Sequence, residues 1–336
     1  MARSPAVHTP LHVLHQPALI DELPAGNAPR QSQLTAATAA LSGRELAAAL
    51  AIVVIWGVNF VVMKFGLRDF TPLQLGAGRY LAAALPLVLL VRPPRLHWKW
   101  VLLYGLFQGI GQFGFLFLAL QVGMTASLAS VLMQTQVFFT ALFGFVLLHE
   151  RASRPLQVGM MFAALGLACF AMNYMAPGTS SATTALGFGL SLCAAAMWAA
   201  SNIVARKAQQ ASAGFDPLAF VVWASTVPVL PFLLLSLWLD PVATRANWTN
   251  AAWSSWAAIA FLGWIATVAA YGMWTGLLKR HPANRIAPFS LGVPVVGLVA
   301  GMLVLGEAVT SWQWAGILLV GVALACVLLG PRLMKP

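Results

Sequence analysis

Long apolar runs separated by short polar breaks fill the chain from residue 46 onward. They lie at about 46–64, 72–91, 99–121, 125–148, 155–174, 185–206, 217–238, 252–277, 284–305 and 311–330. A helix of roughly 20 apolar residues crosses a hydrocarbon layer about 30 Å thick. The pattern therefore predicts an all-α integral membrane protein of ten transmembrane helices. Strands of a membrane barrel would place polar residues at every second position, and these runs do not.

The pattern also repeats. Residues 126–170 recur, shifted by 157 positions, at 283–327: Gly144 pairs with Gly301, Glu150 with Glu307, Gly159 with Gly316, and Leu167-Ala168-Cys169 with Leu324-Ala325-Cys326. A second echo links Trp56, Asn59 and Lys64 of the first run to Trp198, Asn202 and Lys207 of the sixth; in each, Lys follows Asn by five. The halves divide in the chargeless stretch 175–184, giving repeats at 44–175 and 184–331 behind a tail, 1–43. Five spans per half is an odd number, so the second copy is expected upside down relative to the first. Inverted repeats of this kind are an architecture of secondary transporters.

Charge placement orients the scheme. Near one face lie Arg44, Arg92, Arg95, Lys99, Arg151, Arg154, Arg206, Lys207, Lys279, Arg280, Arg285, Arg332 and Lys335, thirteen cations; near the other lie three, Lys64, Arg68 and Arg245. Basic residues stay in the cytoplasm, so both termini are expected there. The net charge of +11 is accordingly a topology signal and not a nucleic-acid footprint. With 60% hydrophobic and 8% charged residues the chain lies outside the range of soluble globular proteins. The tail, rich in Pro, Ala and Gln, reads as flexible and cytoplasmic. Its His8, His12 and His15 are interrupted by Pro10 and joined by no cysteine or carboxylate, so they read as solvated side chains and not a metal site. The three cysteines fall within spans and read as packing residues.

Several stretches carry a resemblance. Trp56-Gly57-x-Asn59-Phe60-x-x-x-Lys64, Glu150-Arg151 closing the fourth span, and Ala287-Pro288-Phe289-Ser290-Leu291 with Pro294-Val295-Val296-Gly297 and Glu307 resemble the EamA family of the drug/metabolite transporter superfamily. Through Gln134-Thr-Gln136-Val-Phe-Phe-Thr140 and the ninth span the chain is most similar to exporters of amino acids and cysteine-pathway metabolites. The resemblance covers roughly 46–330. It implies two inverted five-helix repeats around a central cavity in a bacterial plasma (inner) membrane, alternating access, a small-molecule substrate and no cofactor. It is compatible with a monomer. The fourth span departs from the repeat, with Val137 where the ninth has Pro294.

Polar groups inside hydrocarbon are costly and usually face a bundle interior or a wet cavity. Arg79, within the second span, is the sharpest case: a cation that draws a substrate carboxylate or gates the cavity, or else an arginine that snorkels or links helices. Gln108 and Gln112, one turn apart on the third span, share a face with Phe115 and Ala119 and could bind the polar end of an amino acid. Asn59 and Asn202 could do the same or serve as hydrogen bonds between helices, worth roughly 0.6–2 kcal/mol in a membrane. Gln134 and Gln136, two apart, cannot both face inward on an α-helix, so at most one is expected in the cavity. Trp56, Trp198, Trp223, Tyr271 and Trp274 could wall a site for amphipathic solutes, with Ser290 of the ninth span beside them. Every carboxylate, Asp21, Glu22, Glu45, Asp69, Glu150, Asp216, Asp240 and Glu307, falls in the tail, a loop or a span end. That argues against the mid-membrane acid of proton-driven exporters of cationic drugs. Glu150 and Glu307 are expected to pair with cations or free backbone amides at helix ends.

Enzyme readings fail. His149-Glu150 begins like a zinc-protease motif, but Ser153 stands where a second His is needed. Neither a Gly-x-Ser-x-Gly turn nor a P-loop occurs. The competing readings are a sugar-phosphate, nucleotide-sugar or drug carrier of the same fold, and a membrane receptor or scaffold that transports nothing.

Overall fold

The computed structural model describes residues 42–148, 154–175, 183–212, 214–281 and 286–333. The tail with its three histidines, the junction 176–182, and His149, Glu150, Arg151 and Arg285 lie outside the described residues. Among the described residues all regular structure is helical. The main helices are α1 (Gly43–Gly66), α2 (Pro72–Val88), α3 (Trp98–Gln121), α4 (from Ala126 to Leu148), α5 (Arg154–Met175), α6 (Ala185–Gln210), α7 (Pro217–Leu239), α8 (from Trp253 to Arg280), α9 (from Ala287 to Leu305) and α10 (Ser311–Leu333). Seven of these, α1 and α3–α8, are long and apolar enough to cross a membrane, and Phe289–Leu305 and Ser311–Val327 are shorter apolar helices.

Local sequence explains where the helices start. Ser42 and Glu45 form a reciprocal capping box on α1, and Thr71 with Gln74 does the same on α2, where Pro72 occupies the first turn. Thr125, Thr184 and Asp216 accept backbone N–H groups at the starts of α4, α6 and α7. Gly306, with φ of 64°, ends α9 in the left-handed conformation that glycine adopts at no steric cost.

The helices are not uniformly α. Residues Gly105–Phe113 of α3 and Phe261–Ala269 of α8 form π-helical turns, 156 positions apart at both ends. A 3₁₀ turn interrupts α4 at Met133–Thr135, and another opens α9 at Ala287–Leu291. In α7 a turn at Ser225–Pro228 separates two α-helical pieces, because Pro228 supplies no backbone N–H.

Packing is also paired. Helix α1 lies on α9, α6 on α3 and α4, α2 on α7, and α5 along α10. Gly57 and Gly297 permit close approach of helices: a Cβ at Gly57 would stand 2.5 Å from Val296 Cβ, and one at Gly297 would collide with Ser130. Phenylalanines 70, 117, 170, 220 and 232 fill the interior, while Leu303 and Trp253 are 80% and 82% exposed. An apolar exterior of this extent is a lipid-facing surface.

The helix ends gather at two poles. At the pole of Ser42, Arg280 and His281 lie 3.7 and 3.0 Å from the Glu45 carboxylate, and Ser212 donates to Arg95 O. At the pole of Gly66 the bonding is denser. Asp69 accepts from Ala252 N and Ser255 Oγ, Asp240 accepts from the hydroxyls of Thr71 and Ser236, and Lys64 donates to Leu120 O at 2.8 Å.

Candidate functional site

A cavity of about 360 Å³ lies between the helices, within the volume range of small-molecule sites. Its polar lining includes Asn59, Arg79, Gln112, Gln134, Gln136, Asn202 and Ser290, and its apolar lining includes Trp56, Phe113, Trp198, Tyr271 and Trp274. Ten residues were singled out as candidate substrate contacts from the sequence, and the cavity gathers nine. The tenth, Gln108, lies in a small adjoining pocket with Arg79, Thr267 and Tyr271.

Four residues is close to one turn of a π-helix as of an α-helix, so the two glutamines still lie on adjacent faces, and what withdraws Gln108 from the cavity is its side-chain bonding. The Gln108 side chain is consumed by linking helices: Oε1 accepts from Ser201 Oγ at 2.6 Å and Nε2 donates to Tyr271 Oη at 3.2 Å. Gln134 and Gln136 correct the sequence reading in the opposite direction, because both line the cavity. The intervening 3₁₀ turn has about three residues per turn, which leaves positions i and i+2 about a third of a turn apart instead of opposed. Gln134 Nε2 donates to Ser290 O, tying α4 to α9, and Gln136 Oε1 accepts from Asn202 Nδ2 at 2.8 Å, tying α4 to α6. Trp223 is also corrected. It lies outside the cavity lining, and its Nε1 donates to Val91 O beside Trp98.

Arg79 is 2% exposed. It does not snorkel. One guanidinium nitrogen, Nη2, donates to Thr267 Oγ1 at 3.1 Å; Nε and Nη1 are buried without a protein partner. Thr267 in turn donates to Leu262 O, a carbonyl five residues back within the π-helical turn. The guanidinium carbon sits 3.7 Å from the Phe113 ring centroid, a cation–π contact worth about 2 kcal/mol when desolvated. Among the described residues Arg79 has no carboxylate partner; the ion pairs found there are those of Glu45. The other buried polar atoms of the cavity wall lacking a partner are Asn59 Oδ1 and Gln112 Oε1.

The apolar wall is built around Trp56. Its ring lies 5.3 Å from Tyr271 and 5.4 Å from Trp274, centroid to centroid, and its Nε1 donates to Ala266 O. Thr267 and Phe113, the two neighbours that hold Arg79 in place, were not singled out from the sequence. Thr267 was legible as the lone hydroxyl in Phe261–Ala270; nothing distinguished Phe113 from its aromatic neighbours.

Glu307 behaves as the sequence led one to expect. Its carboxylate accepts from Ala126 N at 2.7 Å and Ser127 N at 2.8 Å, capping α4 from the end of α9. The equivalent Glu150 lies outside the described residues.

The family model of the EamA-like transporter family matches residues 44–172 and again 185–329. The chain belongs to this family. It is a membrane transporter and not an enzyme. A Salmonella typhimurium protein named as a probable amino-acid metabolite efflux pump is 38% identical over 85% of this chain and 95% of its own length. An Escherichia coli protein of the same name is 36% identical over 88% of this chain and 98% of its own. An uncharacterized Bacillus subtilis transporter, YoaV, is 26% identical over 81% and 92% respectively. A solved structure covering 84% of this chain and 97% of its own superposes with a TM-score of 0.56 at 18% identity, a likeness of fold alone.

Proposed function

We propose that this EamA-like transporter exports small polar or amphipathic metabolites, amino acids including aromatic and sulfur-containing ones foremost, by alternating access around the central cavity. The observation that carries the reading is the cavity itself: its lining combines a buried cation and several amide groups with a cluster of aromatic rings, and it has the size of a metabolite site. The relatives named as amino-acid metabolite efflux pumps agree with it.

Ten spans arranged as two inverted halves would provide the motion. Support comes from irregular turns recurring near the repeat spacing, at 105–113 with 261–269 and at 133–135 with 287–291. The α5–α10 pair would be peripheral while the remaining helices rock. With both termini cytoplasmic, the Ser42 pole faces the cytoplasm of a bacterial cell. The cavity residues Asn202, Trp274 and Ser290 sit in the half toward that pole, and Asn59, Phe60, Met63 and Leu116 in the half toward the other.

A nucleotide-sugar or sugar-phosphate carrier would need several cations in the cavity. Among the described residues Arg79 is the one cation in its lining. Liposomes containing the purified protein and preloaded with unlabelled amino acids should accumulate labelled leucine or phenylalanine by counterflow. No solute-dependent flux across a panel of amino acids would sink the transport reading and favour a receptor or scaffold.

A further inference from the structure

Resting on the amino-acid reading, we infer that the polar part of the cavity lining is a divided zwitterion subsite. The Arg79 guanidinium takes the substrate's carboxylate, and the Asn59 and Gln112 side-chain oxygens take its ammonium group, while the side chain lies against Trp56, Tyr271 and Trp274. A substrate needs both charges to use the subsite fully, and its carboxylate contributes more than its ammonium group.

The inference follows from which atoms are already engaged. Of the cavity's amide side chains, Gln134, Gln136 and Asn202 are each committed to a bond between helices. The orphaned atoms fall into two chemical kinds. Arg79 Nε and Nη1 are donors on a fixed positive charge; Asn59 Oδ1 and Gln112 Oε1 are acceptors. A buried guanidinium lacking a counter-ion is strongly disfavoured, and Phe113 and Thr267 compensate it in part while holding the group still. A carboxylate supplies the missing charge and accepts in planar, charge-assisted geometry. An ammonium group is donor-only and matches the two oxygens.

The same inventory sets exclusions. Among the described residues no carboxylate lines the cavity, so a second positive charge on a solute has no partner there. Among the described residues Arg79 is the lone cation of the lining, so a second carboxylate has none either. Neutral amino acids with apolar, aromatic or sulfur-containing side chains fit, whereas glutamate and lysine do not.

The test deletes one charge at a time from a single ring-bearing solute. Counterflow of labelled leucine is challenged with phenylalanine, phenylalaninamide, 3-phenylpropionate, phenethylamine, glutamate and lysine. In parallel, each solute's shift of the thermal unfolding midpoint of detergent-purified protein reports binding without flux. Phenylalanine should bind and compete; the amide and phenethylamine, lacking the carboxylate, should be weaker by on the order of tenfold or more. Phenylpropionate should fall between them, and glutamate and lysine should be excluded. In Arg79→Gln the preference for phenylalanine over its amide should vanish, while Arg79→Lys should retain part of it. An amide within about twofold of phenylalanine in the wild-type protein overturns the assignment, as does an unchanged preference in a folded Arg79→Gln protein or a lack of phenylalanine binding. Carboxylate-dependent binding without flux would keep the subsite and sink the transport reading; flux indifferent to the carboxylate would do the reverse.

Discussion

Arg79 shows how a side chain that is unfavourable by itself becomes affordable through its neighbours. Its charge is removed from water, and the folded chain returns a ring face at 3.7 Å and one hydroxyl at 3.1 Å. Thr267 is the weaker of these supports and the cleaner to probe, since Thr267→Val keeps the shape and deletes the oxygen. The guanidinium then loses its positional anchor while remaining in the cavity wall. The expected outcome is a KM for counterflow raised about tenfold, in line with a loss of about 1.5 kcal/mol for a hydrogen bond to a charged group, with protein yield and insertion unchanged. Unaltered KM in the inserted variant would show that Thr267 does not position Arg79. The sequence exposed Arg79 because a cation in a membrane-length apolar run is conspicuous on its own. It could not expose Phe113, whose part depends on which of many rings lies beneath the guanidinium.

At the scale of elements the most consequential contact is between α4 and α9 near the Gly66 pole. Gly297 and Gly301 bring the helices together, Ser127 donates to Leu298 O, and the Glu307 carboxylate caps the first N–H groups of α4. In a carrier that alternates, this is the contact that must part for the cavity to open at that pole. Glu307→Gln removes the carboxylate charge and one of the two acceptors. The expected cost to the closed arrangement is about 1.5–3 kcal/mol, roughly a tenfold or larger shift toward opening at that pole. The measurement is the rate at which a membrane-impermeant thiol reagent labels a cysteine placed at Ser130, which is fully buried in the closed contact. An unchanged labelling rate would mean that Glu307 does not hold this pole shut. The polar residues of α3 and α4 illustrate why helix faces misled. The α-helical spacing that separates Gln134 from Gln136 is overridden by a 3₁₀ turn, whereas Gln108 is drawn away from the cavity by its bonds to Ser201 and Tyr271. The position of that turn is set by tertiary packing, and no residue within it announces the change of period.

For the whole molecule, the proposed inverted halves and cytoplasmic N-terminus make a definite prediction about sides. A reporter active only outside the cytoplasm should be active when inserted at the junction near residue 180 and silent when fused after residue 336. A cytoplasmic reporter should show the reverse. Activity of the same reporter at both sites would overturn the inverted five-helix halves. At the Gly66 pole Asp69, Asp240 and Lys64 each tie separate helices or loops.

What the sequence determined by itself is whatever can be read one segment at a time. The cost of placing backbone and charge in hydrocarbon forces long apolar helices, leaves carboxylates at their ends, and makes Arg79, Asn59 and Gln112 visible as exceptions. The capping residues Ser42, Thr71, Thr125, Thr184 and Asp216 likewise mark helix starts through bonds made within a single turn. Only the tertiary structure decided which amide groups were satisfied by neighbouring helices and which were left buried in the cavity wall without a partner. That choice rests on distances between residues more than a hundred positions apart, such as Gln108 with Tyr271 and Arg79 with Thr267, and on local changes of helical period imposed by close packing.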